Sequence, residues 1–177
     1  MLTSNFKKLM RALLSGDIYG FKDIAGESRS VNPYGSYYTD YLGIPMYRFK
    51  TAYCKTSPTY GVYFGTDPTA ATESDYKLGA AITSGLSITN PSSFARSENV
   101  DAGTVTYSAL FTVTNTSKAE IAIHEIGWYT DHTSGSNSEL FYIMLDRTVL
   151  DEPITIQPGE TKYITYELTF RWALILE

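Results

Sequence analysis

Strict alternation of apolar and polar residues marks two long stretches in the second half of the chain. Every second residue from 105 to 113 is apolar, and threonine or serine stands at most of the positions between them. The same alternation runs from 161 to 172. A period of two is typical of a β-strand with one face on a hydrophobic core and the other face exposed. The predicted core-facing residues are Val105, Tyr107, Ala109, Phe111, Val113, Ile164, Tyr166, Leu168, Phe170 and Trp172.

Shorter patterns of this kind, separated by turn residues, extend the predicted sheet region. Residues 115–118 suit a hairpin connection, Asp151-Glu152 precedes Pro153 in a further turn, and Pro158-Gly159 suits a tight turn. The apolar face changes parity after Ile123, which indicates a β-bulge near His124-Glu125. The predicted strands are 47–53, 60–65, 104–115, 119–130, 139–147, 153–157 and 160–172. Several short strands joined by turns favour a mainly β fold, an antiparallel β-sandwich of the Ig-like or jelly-roll-like type.

One stretch, residues 4–15, has convincing helical spacing. Ser4 or Asn5 is a suitable cap for its start and Gly16 for its end. Two roles stay open for this helix, because it can either close one end of the β core or dock on another subunit. The candidate residues for a subunit contact are Phe6, Leu9, Met10 and Leu13. A short helical turn is also predicted over 75–82.

A tyrosine-rich segment follows the helix, since nine of the fifteen tyrosines lie between residues 19 and 63. Residues 16–60 also contain many Gly, Ser and Pro residues, so we expect an extended, partly irregular segment. Tyrosine combines a large flat ring with a hydroxyl, which suits protein interfaces and sugar stacking. A subunit interface, a cover for the protein's own sheet and a glycan site all remain open for Tyr34, Tyr37, Tyr38 and Tyr41.

The predicted organisation is an N-terminal helix and tyrosine-rich arm over 1–60 and a β-sandwich domain over 61–177, within one continuous fold. The chain ends on a short apolar run that breaks the strand alternation. Such a run left in water would promote aggregation, so we expect another surface to cover it. The residues concerned are Leu174, Ile175 and Leu176.

Composition excludes several classes of protein. A length of 177 residues and a hydrophobic content of 43% fit one globular domain. The net charge of −5, with no basic cluster larger than the one around Lys7, Lys8 and Arg11, argues against nucleic-acid binding. No apolar run approaches the roughly 20 residues of a membrane span, and no secretory signal is evident. A single cysteine, Cys54, leaves no intrachain disulfide.

Residue types for catalysis or metal binding are scarce. His124-Glu125 begins like a zinc HExxH motif, but Trp128 stands where the second histidine belongs and the segment reads as a strand. No GxSxG elbow, GxGxxG loop or Walker A loop occurs. We therefore predict a protein that is not an enzyme and has no cofactor or metal. Three carboxylates are candidate calcium ligands without EF-hand spacing, for which turn and cap roles are favoured: Asp67, Glu73 and Asp75.

Three sequence runs, in order, carry a resemblance to a known group of proteins. They are GVYFGTD at 61–67 with SDYKL at 74–78, FTVTNTS at 111–117 leading to IHEIGWY at 123–129, and LDRTVL at 145–150 continuing to PITIQPG at 153–159. Over about 60–159 the chain resembles small β-rich virion proteins of tailed bacteriophages. The resemblance implies a structural virion protein, made in the host cytoplasm, whose partners are copies of itself and other proteins of a tail, neck or fibre. A capsid decoration (cement) protein and a host-glycan-binding module remain as alternatives.

Overall fold

The computed structural model describes residues 1–15, 19–31, 61–89, 94–133 and 140–171, which form a mainly β structure with antiparallel sheets. The helix predicted over 4–15 and the strand predicted over 104–115 are confirmed. The elements in these residues are α1 (Ser4–Ser15), β1 (Tyr19–Lys22), β2 (Ser28–Val31), β3 (Gly61–Gly65), β4 (Leu86–Thr89), β5 (Phe94–Asn99), β6 (Thr104–Asn115), β7 (Ile121–Thr133), β8 (Leu140–Ile156) and β9 (Thr161–Arg171).

The described strands form three antiparallel sheets. β1 and β2 make a hairpin of their own, and β3, β7 and β8 form a second sheet with β7 in the middle. β6 is the centre of the third sheet, where β9 pairs with one of its edges over eleven residue pairs. β4 and β5 lie one after the other along the opposite edge of β6.

One hydrophobic cluster contains side chains from both larger sheets and from the N-terminal segment. The rings of Phe64 on β3 and Phe111 on β6 meet edge to face, with centroids 6.4 Å apart. Phe6, Leu9 and Phe21 belong to the same cluster, so α1 and β1 pack on the core built by the later strands. The alternation along β6 and β9 is confirmed, because these core-facing residues are buried: Ala109, Phe111, Val113, Ile164, Tyr166 and Leu168.

The bulge predicted near His124-Glu125 is confirmed by a register shift between Ile123 and Glu125. The sequence predicted two separate strands at 139–147 and 153–157. This separation is wrong, since both ranges belong to the single strand β8. Four residues of β8, at 150–153, lie opposite His124 alone. Because proline has no amide hydrogen to donate, this irregularity accommodates Pro153 without breaking the strand.

The hairpin predicted at 115–118 is also wrong, because this connection joins β6 to β7 in a different sheet. The cause is the Asn115 side chain, which is fully buried. Its amide donates to the carbonyls of Ala119 (2.7 Å) and Ile156 (2.8 Å), while its carbonyl accepts from Ser117 N (2.8 Å). The backbone carbonyl of Asn115 accepts from Gly159 N, so this one residue fixes both crossovers between the sheets.

Helix α1 is capped by Thr3 rather than by the predicted Ser4 or Asn5. The Thr3 hydroxyl accepts from Phe6 N and donates toward the Met144 carbonyl, which fastens the start of the helix to β8. Asn5 instead pairs with both backbone groups of Lys22, as a neighbouring strand would. The cap lies one residue earlier than predicted because Ser4 and Asn5 already have helical backbone geometry.

The remaining predictions concern the segment between β3 and β4 and residues outside the described ranges. Residues 75–82 form turns and a bridge to β3 rather than the predicted helical turn, because their polar groups bond to β3, β7 and β8. The strand predicted at 47–53 and the tyrosines 34, 37, 38 and 41 lie outside the described residues, as do Leu174, Ile175 and Leu176. The described residues contain no helix with the length and hydrophobicity that crossing a membrane requires.

Candidate functional site

Residues 66–82, here called the covering segment, lie on the outer face of the sheet β3–β7–β8. Arg147 on β8 fastens this segment from below with two ion pairs, and a third ion pair joins Arg147 to β7. Its Nε donates to Glu125 on β7 (2.7 Å), and its two terminal nitrogens donate to Asp75 (2.9 Å) and Asp67 (3.3 Å). Arg147 and Glu125 are buried and the two aspartates are partly exposed, so this planar fork of donors joins one buried carboxylate to two at the edge of the cluster.

Glu125 also holds the far end of the covering segment. Its carboxylate accepts hydrogen bonds from Gly79 N (3.1 Å) and Ala80 N (2.9 Å). Gly65 leaves room for this carboxylate, because a Cβ at residue 65 would lie 2.3 Å from Glu125 Oε1. Any side chain at residue 65 therefore displaces Glu125 from the segment that it binds.

An apolar contact completes the attachment of the covering segment. Leu78 packs with Tyr63, Tyr129 and Met144 in a small cluster on the outer face of the sheet. The Tyr129 hydroxyl accepts a hydrogen bond from Leu78 N (2.7 Å), and burial raises the pKa of this phenol above its ordinary value. Gly127 makes the close approach possible, since a Cβ there would lie 2.8 Å from Leu78.

Hydrogen bonds and ion pairs within the cluster shift the pKa values of its members. Burial opposes ionisation of Asp75, but hydrogen bonds from Thr72 and Arg147 outweigh it and lower the pKa of the carboxyl. Hydrogen bonds from Thr69 lower the pKa of Asp67. Burial lowers the pKa of the Arg147 guanidinium, but its bonds to Asp75 and Glu125 outweigh burial and raise that pKa. All of these shifts favour the charged forms at neutral pH.

We expect acid to weaken the attachment of the covering segment. The folded-state pKa of Asp75 lies below its ordinary value of 3.8, so its contribution to stability is present above that pH and is lost as the pH falls through the folded pKa. Urea unfolding at pH 7, 4 and 3 measures the effect. Asp75→Asn should be less stable than the wild type at pH 7, and the difference should shrink at pH 3. A difference that stays constant over this range contradicts the assignment.

A groove of about 540 Å³ adjoins the covering segment and is called the α1 groove. Helix α1, the hairpin β1–β2 and residues 74–76 form its walls. Because Asp75 is bonded to Arg147, the ion-pair cluster also fixes the position of this wall. The residues that line the groove are Ser4, Asn5, Lys8, Gly20, Phe21, Lys22, Ser28, Ser74, Asp75 and Tyr76.

The outer face of the sheet built around β6 is a second exposed feature, called the hydroxyl face. Hydroxyl pairs cross it between neighbouring strands, with Thr106 to Thr169 and Thr114 to Thr161 each at 2.8 Å. By strand alternation it contains Ser87, Thr89, Ala95, Ser97, Asn99, Thr104, Thr106, Ser108, Leu110, Thr112, Thr114, Thr161, Tyr163, Thr165, Glu167, Thr169 and Arg171. Leu110 is 51% exposed and Tyr163 73% exposed, and the pairing places them on adjacent strands.

The residues of α1 that were predicted to contact another subunit lie mostly in the protein's own core. Phe6 and Leu9 are buried in the chain's own core and Met10 packs against it, so the core-closing role describes these side chains rather than an exposed arm. The side chain of Leu13 lies outside the described part. A contact of α1 with another subunit stays a prediction for its remaining surface.

The three candidate calcium ligands do not form a metal site. Asp67 and Asp75 do converge, but the cation between them is Arg147, and Glu73 forms an exposed pair with Lys7. No group of three potential metal ligands occurs among the residues that the structure describes. Arg147 was not among the residues predicted from the sequence, and its one local signal is the charged pair Asp146-Arg147 that follows the largely apolar run 140–145 of β8.

Comparisons with known proteins were made for the whole chain. No family model matches it, and neither a curated protein nor a solved structure does.

Proposed function

We propose that the chain is a non-enzymatic structural protein of a bacteriophage virion that assembles through protein–protein contacts in a tail, neck or fibre. In this proposal the two larger sheets form an antiparallel β-sandwich, and the hydroxyl face is the contact surface. The observation that carries the proposal is the exposure of Leu110 and Tyr163 on a broad sheet face that has few charges. Sequence runs that resemble virion proteins supply the setting.

The buried charges support a structural role. Arg147, Glu125 and Asp75 use their hydrogen-bonding groups to attach the covering segment to the sheet. Asp146 is likewise engaged, since it accepts from the Tyr166 hydroxyl (2.7 Å) and from Thr148 (2.9 Å). Catalytic acids and bases need an accessible reacting atom, whereas Glu125 and Asp146 are buried against their own partners and Asp75 is bonded to Arg147.

The occupant that fits the hydroxyl face is a second copy of this chain. A twofold contact places the same surface on both copies, so the surface has to be complementary to itself. Glu167 and Arg171 are the charged members of the face and have opposite signs, which allows each to pair with the other across a twofold axis. Leu110 and Tyr163 provide apolar area, and the threonine and serine hydroxyls can donate and accept.

We expect Leu110→Lys combined with Tyr163→Lys to weaken self-association at least about ten-fold, because new positive charges on both copies repel and apolar area is lost. Sedimentation over a range of protein concentrations measures the effect. Val100→Lys is the control, since Val100 is 79% exposed in the turn between β5 and β6, outside the two strands that carry Leu110 and Tyr163. A wild type that stays monomeric, or a double variant that associates like the control, contradicts the proposal.

The glycan-binding alternative has one observation in its favour, the α1 groove. Its lining combines a tyrosine ring with hydroxyl and ammonium groups, which is the composition of many sugar sites. The other alternative is a capsid decoration protein. It would assemble through the same kind of contacts, but on the capsid shell instead of in a tail, neck or fibre.

A further inference from the structure

Two lysines give the α1 groove a positive lining in a protein of net charge −5. Neither Lys8 nor Lys22 has a carboxylate within ion-pair distance in the described part of the chain. Asp75, the acidic residue of the lining, is bonded to Arg147 and accepts from Thr72 N, so its carboxylate is engaged in the ion-pair cluster. Within the described ranges, the two lysines of the groove therefore have no carboxylate partner and are available to an anionic ligand.

Tyr76 provides an ordered flat wall beside these charges. Lys22 Nζ lies 5.4 Å from the centroid of the Tyr76 ring. The ring packs against the turn between β1 and β2, where a Cβ at Gly26 would lie 3.5 Å from it and where the φ of +85° favours glycine. A phenol ring held in this way offers a face on which a sugar ring can stack.

Hydroxyl groups and size restrict the ligand further. Ser4, Ser28 and Ser74 line the groove, and its volume of about 540 Å³ is in the usual range for small-molecule sites. The helix N-terminus is not the source of the positive charge, because Ser4 N already donates to the Glu73 carbonyl (2.7 Å). Recognition would therefore come from side chains of three separate elements.

We propose that the α1 groove binds a small anion carried on a hydroxylated ring, with Lys8 and Lys22 on the anionic group and Tyr76 against the ring. A uronic acid and a sugar phosphate share this chemistry. The inference goes beyond the assembly role and does not depend on it, since the groove and the hydroxyl face are built from different elements.

The test is titration of the full-length protein with four probes, glucuronate, glucose 6-phosphate, glucose and inorganic phosphate, followed by amide NMR. Glucuronate or glucose 6-phosphate should shift the amide signals of Gly20, Ser28 and Tyr76. Lys8→Gln combined with Lys22→Gln should weaken that binding about ten-fold, since two ion pairs are lost. Lys118→Gln is the control for a lysine charge lost away from the groove, because Lys118 lies in the exposed turn between β6 and β7. It should bind like the wild type.

The comparison between probes assigns the source of the anion. Stronger binding of glucuronate indicates a carboxylate, and stronger binding of glucose 6-phosphate indicates a phosphate. The proposal is overturned if neither sugar anion shifts the lining residues, or if the double variant keeps full affinity. Equal binding of glucose, or of inorganic phosphate alone, overturns it as well, because charge and ring are both required.

Discussion

Arg147→Met should lower the free energy of unfolding by about 3–5 kcal/mol, the largest loss that we expect from a single charged residue. The substitution leaves Glu125 buried and without its ionic partner, and it removes the ion pairs to Asp67 and Asp75. Methionine fills much of the volume of the arginine stem, so the loss of charge pairing is the main effect. Urea denaturation at pH 7 measures it.

A matched control and a double variant make this result specific. Lys7→Met breaks the exposed pair with Glu73, and we expect it to cost about 0–1 kcal/mol. Glu125→Gln added to Arg147→Met should restore part of the lost stability, because the unpaired buried charge disappears. A loss below about 1 kcal/mol for Arg147→Met would show that the cluster does not fasten the covering segment.

The second large effect is expected at Asn115, where alanine should cost about 2–4 kcal/mol of unfolding free energy. The substitution removes the donors to the Ala119 and Ile156 carbonyls and the acceptor for Ser117. Since Asn115 is fully buried, water does not replace these bonds at that place. Thermal and urea unfolding both report the change.

Asn115→Asp separates hydrogen bonding from side-chain size. Aspartate has nearly the same shape but lacks the amide donors, so we expect a loss at least as large as that of alanine. Asn99→Ala, which removes a single exposed bond to Ala102 N, should stay within about 0.5 kcal/mol of the wild type. Aspartate with wild-type stability would contradict the donor role of the Asn115 amide.

The strands could be predicted from the sequence because side-chain parity is a local property. Ala109, Phe111 and Val113 face the core as their alternation requires, and the parity change after Ile123 correctly indicated a bulge. The choice of partner strands was not local. Residues 115–118 look like a hairpin turn, yet the bonds of Asn115 to distant carbonyls direct the chain into the other sheet.

The ion-pair cluster of the candidate site could not be predicted either, because it also depends on contacts between residues distant in the sequence. Asp67 and Asp75 stand out in the sequence as neighbouring carboxylates, and a metal ion was the cation considered for them. Their actual cation, Arg147, is 80 and 72 residues away along the chain, and no spacing rule connects such positions. The α1 groove is equally non-local, because α1, the β1–β2 hairpin and Tyr76 meet only in the folded chain.

Two glycines of the sheet under the covering segment have roles that only the packed structure reveals. Gly65 and Gly127 read in the sequence as ordinary strand glycines. In the fold, each leaves space for a side chain of another element, the Glu125 carboxylate and Leu78 respectively. Their role depends on atoms that approach from outside the strand.

Hydrogen–deuterium exchange of dilute and concentrated protein tests the proposed assembly through the hydroxyl face most directly. The account predicts that peptides covering β6 and β9 gain protection as the concentration rises, while peptides covering α1 and the covering segment stay unchanged. Protection that appears elsewhere, or a pattern that does not depend on concentration, would contradict it.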